Sequence, residues 1–462
     1  MHTPILLTAL AEGVLLTLAP YIGSYLRTGE IPGGLDLLFP SLTFATVLVV
    51  AMLSMGVYEA KIREGVAGMM LRTAVAIFLL GAMATAILSY VLPDLAIGRG
   101  VLLLTCVSAF ILLAVWRWLT GHFLNEEVFK RRVVVLGTGE RALKIAARMR
   151  RRVDQRGFVL LGFIEPNAAA DTDAISDRGA KVIRINEPLA DYCRQNEVDE
   201  IVVAMDERRR NGGSGLPLDE LMECRLQGVE VCDIQEFIER EAGKVDVDLL
   251  RPSWMVFSDG FVVSAWRSST KRSFDLLASA LLLFFVWPIM LITALAIWIE
   301  SRFRDPILYR QERVGLDGKP FQVLKFRSMA TDAEKEGQAI WAQQNDPRVT
   351  RIGAAIRKTR IDELPQLFNV LRGNMSFVGP RPERPVFVDE LNEAIPYYAQ
   401  RHRVKPGITG WAQLRYPYGA SVDDAKEKLQ YDLYYLKNHS LLLDMIILLQ
   451  TVEVVLVGEG AR

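Results

Sequence analysis

Two adjacent carboxylates, Asp362 and Glu363, stand within Arg357 to Pro385, which reads RKTRIDELPQLFNVLRGNMSFVGPRPERP. Arg348, Arg351, Arg357, Lys358 and Arg360 precede the pair, and Arg372, Arg381 and Arg384 follow it. Two carboxylates ringed by guanidinium groups suit phosphoryl chemistry. One acid attacks phosphorus or holds a divalent cation, and the arginines neutralise phosphate oxygens. Taken alone, an acidic pair reads first as a helix cap beside a solvated basic face. The turn Val378-Gly379-Pro380-Arg381-Pro382 weighs against that reading. Its prolines stiffen a turn that fixes an arginine close in sequence to the acids, which packing rarely needs.

Several elements must hold these groups. Leu364 to Leu371 has the spacing of a short helix stopped by Gly373, with Pro365 in its first turn. The pair is therefore expected at or near a helix N-terminus, where free backbone N–H groups collect. Ile307–Gln311 and Phe321–Phe326 predict two strands around the turn Leu316-Asp317-Gly318-Lys319. Lys325 and Arg327 flank Phe326 and would project to one face, as phosphate contacts or as exposed strand cations. Asp332–Gln344 reads as a polar helix and Val386–Asn392 as another. Tyr416, Tyr418, Tyr431, Tyr434 and Tyr435 suit an interfacial position. Leu441–Leu456 is apolar but only 16 residues long, so a surface or docking helix is expected there.

DELPQLFNVLRGNMSFVGPRP, with Lys325-Phe326-Arg327-Ser328-Met329 before it and Val404-Lys405-Pro406-Gly407-Ile408-Thr409-Gly410-Trp411-Ala412-Gln413 after it, resembles the bacterial sugar transferase family. That domain is the catalytic part of monotopic polyprenyl-phosphate phosphoglycosyl transferases. The resemblance runs from about Lys271 to the C-terminus, with separate motifs in the right order. It implies transfer of a sugar 1-phosphate from a UDP-sugar to undecaprenyl (polyprenyl) phosphate, with UMP released, as a first step in exopolysaccharide or O-antigen synthesis. It also implies that Asp362 attacks the β-phosphate and forms a covalent phosphosugar-aspartyl intermediate. Glu363, with Asp362, would hold Mg²⁺. Arg381 and Arg384 would bind the nucleotide phosphates, and Lys325 and Arg327 the transferred or acceptor phosphate. Arg360 is counted with these substrate-binding cations.

The membrane is legible as well. Hydrophobic residues make up 51% of 462, and mean hydropathy is +0.20. Four apolar runs, Ile5–Tyr25, Leu38–Val57, Met69–Leu92 and Val101–Leu119, are each long enough to cross ~30 Å of hydrocarbon. The first has no positive N-terminal flank and others follow it, so no cleaved signal peptide is expected. Lys61, Arg63 and Arg72, and then Lys130, Arg131 and Arg132, put the even-numbered loops inside. This predicts a multi-pass protein of the bacterial inner (cytoplasmic) membrane with its soluble parts in the cytoplasm. Glu12 lies inside the first span, facing the bundle or a headgroup. A further apolar stretch, Phe274–Ile299, follows Lys271-Arg272 and carries Pro288 near its middle. A fifth span would carry the acidic pair outside the cell. A re-entrant hairpin over 273–301, broken at Trp287-Pro288, keeps it inside. The resemblance implies the hairpin, although many members carry serine where this chain has Trp287. Asp275 would sit at headgroup level or satisfy a backbone donor.

Between these parts lies an α/β module. Arg132–Leu136, Phe158–Ile164, Glu200–Met205 and Val229–Cys232 read as strands. Leu143–Met149, Leu189–Gln195 and Leu218–Gln227 read as helices, so a parallel, Rossmann-like sheet is expected. Gly137-x-Gly139-x-x-Ala142 approaches a dinucleotide fingerprint, with Glu165 at the ribose position. A nucleotide at Gly137 and Gly139 is one reading, and a structural or assembly role with a sharp strand-to-helix turn is the other. The expected plan is four spans over 1–125, the Rossmann-like module over 126–250 and a linker over 251–269. An α+β catalytic domain completes it over 270–462.

The remaining composition excludes much. The 54 basic and 54 acidic side chains cancel, so bulk charge points to no partner, and no nucleic acid is expected. Four cysteines and four histidines are scattered without metal-ligand spacing. The spans and middle module offer surfaces for a homodimer. Two alternatives to the transferase are an inactive nucleotide-sensing scaffold and an oxidoreductase acting through the middle module.

Overall fold

The computed structural model describes residues 3–30, 36–55, 57, 66–95, 97–123, 130–148, 157–165, 175, 181–206, 216–250, 255, 258, 260–261, 265–330, 348–416, 419 and 421–457. Two compact units divide the chain, Met1–Glu241 and Ala242–Arg462.

The first unit opens with apolar helices Thr3–Thr28, Leu38–Ser54, Val66–Val91 (with a π-helical stretch Ala76–Gly81) and Arg99–Phe123. Three of these have the length and hydropathy of membrane spans. Leu38–Ser54, at 17 residues, reaches about 26 Å, the short end for a span. The helices are tied to one another by charge within the candidate spans. The Arg117 guanidinium donates to both Glu12 oxygens, at 2.7 and 2.8 Å, and also reaches Thr73. Glu12 thus faces the bundle and not a headgroup. Arg72, counted above as a loop charge, lies inside a helix, and its side chain donates to the Met55 carbonyl.

The same unit holds a five-stranded parallel sheet. Its strands are β1 (Arg131–Leu136), β2 (Phe158–Ile164), β3 (Val182–Ile183), β4 (Glu200–Val203) and β5 (Glu230–Asp233). Their order is β3-β2-β1-β4-β5. Val133 to Leu136 are buried without alternation, as a central strand covered on both faces requires. Val134, Leu136, Ile201 and Val203 share a core with Leu189, Cys193, Leu221 and Cys224 from the flanking helices. The short β3 and the helix Ile234–Ala242 add to the expected elements.

The second unit begins at Ala242, ahead of the linker expected at 251. Val245 and Val247 are core residues there, packed with Val388, Leu391, Leu429 and Leu433. Strands β6 (Leu308–Val314) and β7 (Pro320–Phe326) pair antiparallel. Strands β8 (Ser376–Val378) and β9 (Gly407–Thr409) pair parallel. Helix Ala265–Glu300 runs continuously through Trp287 and Pro288 for 36 residues. No turn separates two helices at the expected break. Both halves touch this unit. Arg272 donates to the Val370 and Leu371 carbonyls, while Ile297 packs on Phe326 and Ile356. No residue from 280 to 292 is buried. Leu441–Val457 is a docked helix, with Ile447 fully buried and Asp444 held by Lys271. Tyr435 is buried, not interfacial, because its hydroxyl has partners inside. Tyr418 and the helix expected over 332–344 lie outside the described residues.

Candidate active site

Asp362 and Glu363 sit in a 3₁₀ turn, Ile361–Glu363, entered through Arg360 in the left-handed region at φ 56°. Helix Gln366–Arg372 follows, with Pro365 ahead of it and Gly373 closing it at φ 89°. At that angle a side chain is strained, which explains a glycine there. The expected pool of free N–H groups is largely spent. The amides of Glu363, Leu364, Leu367 and Phe368 close turn bonds to Arg360, Ile361, Leu364 and Pro365. A 3₁₀ entry uses donors that an open α-helical terminus leaves free. Binding an anion here therefore falls to side chains.

Three cations converge on Glu363. Lys325 Nζ stands 3.4 Å from one carboxylate oxygen and Arg381 Nη2 3.5 Å from the same oxygen. Arg360 Nη1 lies 3.6 Å from the other. Burial alone would raise the Glu363 carboxyl, but Lys325, Arg381 and Arg360 outweigh it and bring its pKa down to about 2. Asp362 differs. It is buried, and among the described residues its side chain has no hydrogen bond or ion pair. Burial and then the Glu363 charge push its pKa up, while Lys325, Arg357 and Arg360 pull it back. One acid gathers three cations, and its neighbour has no such partner among the described residues.

The arginine turn is held from behind at nearly every carbonyl. Pro380 accepts from the Gly407 amide, Arg381 from Arg401, Pro382 from Arg313 and Glu383 from the Val314 amide. Arg401 is itself buried against Asp432 at 2.8 Å and donates to the Tyr398 hydroxyl. With its φ fixed at the prolines and its carbonyls pinned, the turn delivers Arg381 to one place. Sequence reasoning did not single out Arg313, Arg401 or Asp432. Only Asp432, an acid among the buried Leu429, Leu433 and Leu436 of its helix, could have signalled them.

Of the two other expected cations, Arg327 goes elsewhere. Arg327 is buried and pairs with Asp305 at 2.7 Å, not with the acidic pair. It lies just past the end of β7, so the alternation that places Lys325 does not carry it to the same partner. Arg384 occupies the N-cap position of helix Pro385–Ala394 without a side-chain capping bond, and its charge helps lower the Arg313 pKa.

The described residues include no group of three acids, histidines or cysteines able to hold a metal. Two adjacent carboxylates are nonetheless the usual protein share for Mg²⁺, which takes its other ligands from substrate phosphates and water. The free Asp362 fits such a role. Glu363 would have to share its oxygens with three cations.

In the middle module, Gly137 adopts φ +120° and starts the turn. The next amides, of Glu140 and Arg141, donate to the two Asp206 oxygens at 2.8 and 3.0 Å. A Cβ on Gly139 would meet the same carboxylate. Thr138 hydrogen-bonds Glu165, the residue at the ribose position. The helix terminus that would cradle a phosphate already holds an internal anion. A nucleotide phosphate would have to displace it.

Residues 266–458 match the family profile described as bacterial sugar transferase, and residues 54–211 match one described as a CoA-binding domain. A UDP-N-acetylgalactosamine-undecaprenyl-phosphate N-acetylgalactosaminephosphotransferase of Aeromonas hydrophila is 43% identical over 52% of this chain and 56% of its own length. An undecaprenyl-phosphate glucose phosphotransferase of Komagataeibacter xylinus is 37% identical over 70% of this chain and 58% of its own. A UDP-glucose:undecaprenyl-phosphate glucose-1-phosphate transferase of Xanthomonas campestris pv. campestris is 32% identical over 77% and 73%. The chain thus spans little more than half the length of the first two.

Proposed function

The chain belongs to the bacterial sugar transferase family, and from that premise we propose that it moves a sugar 1-phosphate from a UDP-sugar to undecaprenyl phosphate. The observation that carries this reading is the division of labour between the two acids. Glu363 gathers Lys325, Arg360 and Arg381, while Asp362 beside it stays unpaired among the described residues. In the proposed reaction an Asp362 carboxylate oxygen attacks the β-phosphorus of the donor. The bond from that phosphorus to the bridging oxygen breaks, and UMP leaves with the electron pair. A phosphate oxygen of the lipid then attacks the same phosphorus and returns Asp362 as a carboxylate. Lys325, Arg360 and Arg381 neutralise charge that grows on the phosphate oxygens. Asp362 and Glu363 would hold Mg²⁺, which when bound supplies further neutralisation of the phosphates.

The lipid acceptor requires the site to lie at a membrane face. We take helix Ala265–Glu300 to enter and leave on the cytoplasmic side, bent near Pro288. Two facts support this. Asp275 and Ile297 both pack into one folded unit, yet a straight helix would set them about 33 Å apart, a bilayer's thickness. Between them Leu281, Phe284, Phe285, Trp287 and Ile292 are exposed, a lipid-facing surface. Cysteines at Ser269 and Ser301 should react together with a membrane-impermeant reagent, from the cytoplasmic side only. Labelling from opposite sides would move the acidic pair away from nucleotide sugars and end the proposal. For the middle module we infer a structural or assembly role, since Asp206 fills its turn.

Purified protein with undecaprenyl phosphate should release UMP from UDP-glucose or UDP-N-acetylgalactosamine, the donors that the relatives' names suggest first. EDTA should stop turnover and added Mg²⁺ restore it. If no donor in a full panel of UDP-sugars releases UMP, the transfer reading fails.

A further inference from the structure

We propose that Asp275, on the membrane helix, is a positioning residue for Arg381 and acts through strand β8. The inference rests on the transfer reading for the role of Arg381, but its geometry stands apart from it. In the parallel pair of β8 and β9, the Ser376 amide donates to the Pro406 carbonyl across the ladder. The Phe377 amide points the other way, as alternation along a strand requires. There it meets Asp275 Oδ1 at 3.1 Å, and the Ser376 hydroxyl donates to the same oxygen at 2.9 Å. Asp275 is 2% exposed and Ser376 is fully buried. Without that carboxylate, a buried N–H and a buried hydroxyl lose their partner.

One turn earlier on the same helix face, Lys271 donates to the Val378 carbonyl at 3.2 Å. Asp444 balances its charge at 2.5 Å, and the Tyr435 hydroxyl lies 3.1 Å from that carbonyl. Residues 271 and 275 therefore grip all three residues of β8. Arg381 comes three residues later, through Gly379 and Pro380. Proline fixes its φ, so the short link has little slack in which to lose a displacement. A shift of β8 moves Arg381 relative to Glu363. The hold on the membrane helix is thus also a hold on the phosphate-binding arginine.

The test uses the full chain in vesicles of phospholipid with undecaprenyl phosphate. Asp275→Ala should speed amide hydrogen exchange over 376–383 and lower kcat/KM for the donor about 30-fold, the scale of a small misplacement. Asp275→Asn keeps the accepting oxygen and should stay within about threefold of wild type. In an Arg381→Ala background, Asp275→Ala should cost less than about twofold more, because the two act in series. Ser376→Ala is the milder variant should Asp275→Ala not fold, with a loss of about fivefold that also vanishes beside Arg381→Ala. Unchanged exchange over 376–383 overturns the proposal, as do losses that multiply in the double variant. If wild-type protein releases no UMP, the transfer reading falls, and exchange alone then decides whether Asp275 holds β8.

Discussion

Asp362→Asn should cut UMP release by at least about 1000-fold while leaving the protein folded and slightly more heat-stable than wild type. The loss follows from chemistry. An amide oxygen is a poor nucleophile, and the cations around Glu363 remain but have no attacking group to serve. The stability gain follows from sign. The Asp362 pKa is raised on folding, by burial and then by Glu363. A raised carboxylate costs stability wherever it is ionised, at neutral pH, and the cost is relieved on acidification. Asparagine keeps the shape and removes the charge, so the melting temperature should rise about 1–3 °C. Acids held ionised against their surroundings are typical of sites selected for reactivity. Exchange of labelled UMP into UDP-sugar measures the first half, and a thermal melt in detergent the second. Exchange above about a tenth of the wild-type rate would remove Asp362 from covalent chemistry. A melt several degrees lower would make it a structural acid.

Much of this centre was legible because its signals are local. Adjacency exposes Asp362 and Glu363, glycine marks the left-handed stop at Gly373, and paired prolines announce the arginine turn. What was not legible is long-range. Strand alternation gives Arg327 a face but not a partner, and Asp305, 22 positions earlier, takes it. Tyrosine suits an interface by composition. Only the fold shows that Lys271, Val378 and Asp444 surround the Tyr435 hydroxyl. Glu12 stood out within an apolar run, but Arg117, which answers it, lies 105 positions away. The glycine turn of the middle module was visible, and the carboxylate that fills it was not, because Asp206 arrives from the end of another strand. The acidic pair was easier to find than its supports. The pair is set by neighbouring residues, whereas supports such as Arg401, Asp432 and Asp275 are set by tertiary packing.

Glu363→Gln should separate the two acids by moving stability the other way. Glutamine preserves size but leaves Lys325, Arg360 and Arg381 crowded around a neutral group. With Arg381 and Lys325 no longer drawn together, kcat/KM for UMP release should fall about 100- to 1000-fold. The Glu363 pKa falls from an ordinary 4.5 to about 2 on folding. A depressed carboxylate adds stability above its unfolded pKa and loses it as pH falls toward the folded value. The contribution is therefore complete above about pH 5 and fades between there and pH 2. That shift corresponds to at most about 3 kcal/mol, reduced by solvent screening because Arg360 and Arg381 are each roughly half exposed. The wild-type protein should accordingly be more stable than Glu363→Gln by up to that amount at pH 7, and the gap should close on acidification. Carboxylates away from the site titrate alike in both proteins and cancel in the difference, whereas Asp362, whose pKa Glu363 raises, titrates lower in the variant and narrows the gap at pH 7. Urea melts of the pair at pH 7, 5 and 3 therefore read the two adjacent acids together. A gap that stays constant from pH 7 to pH 3 would mean that the three cations are not bound to Glu363. The anchor would then have to be sought at Asp362, and the roles of the two acids exchanged.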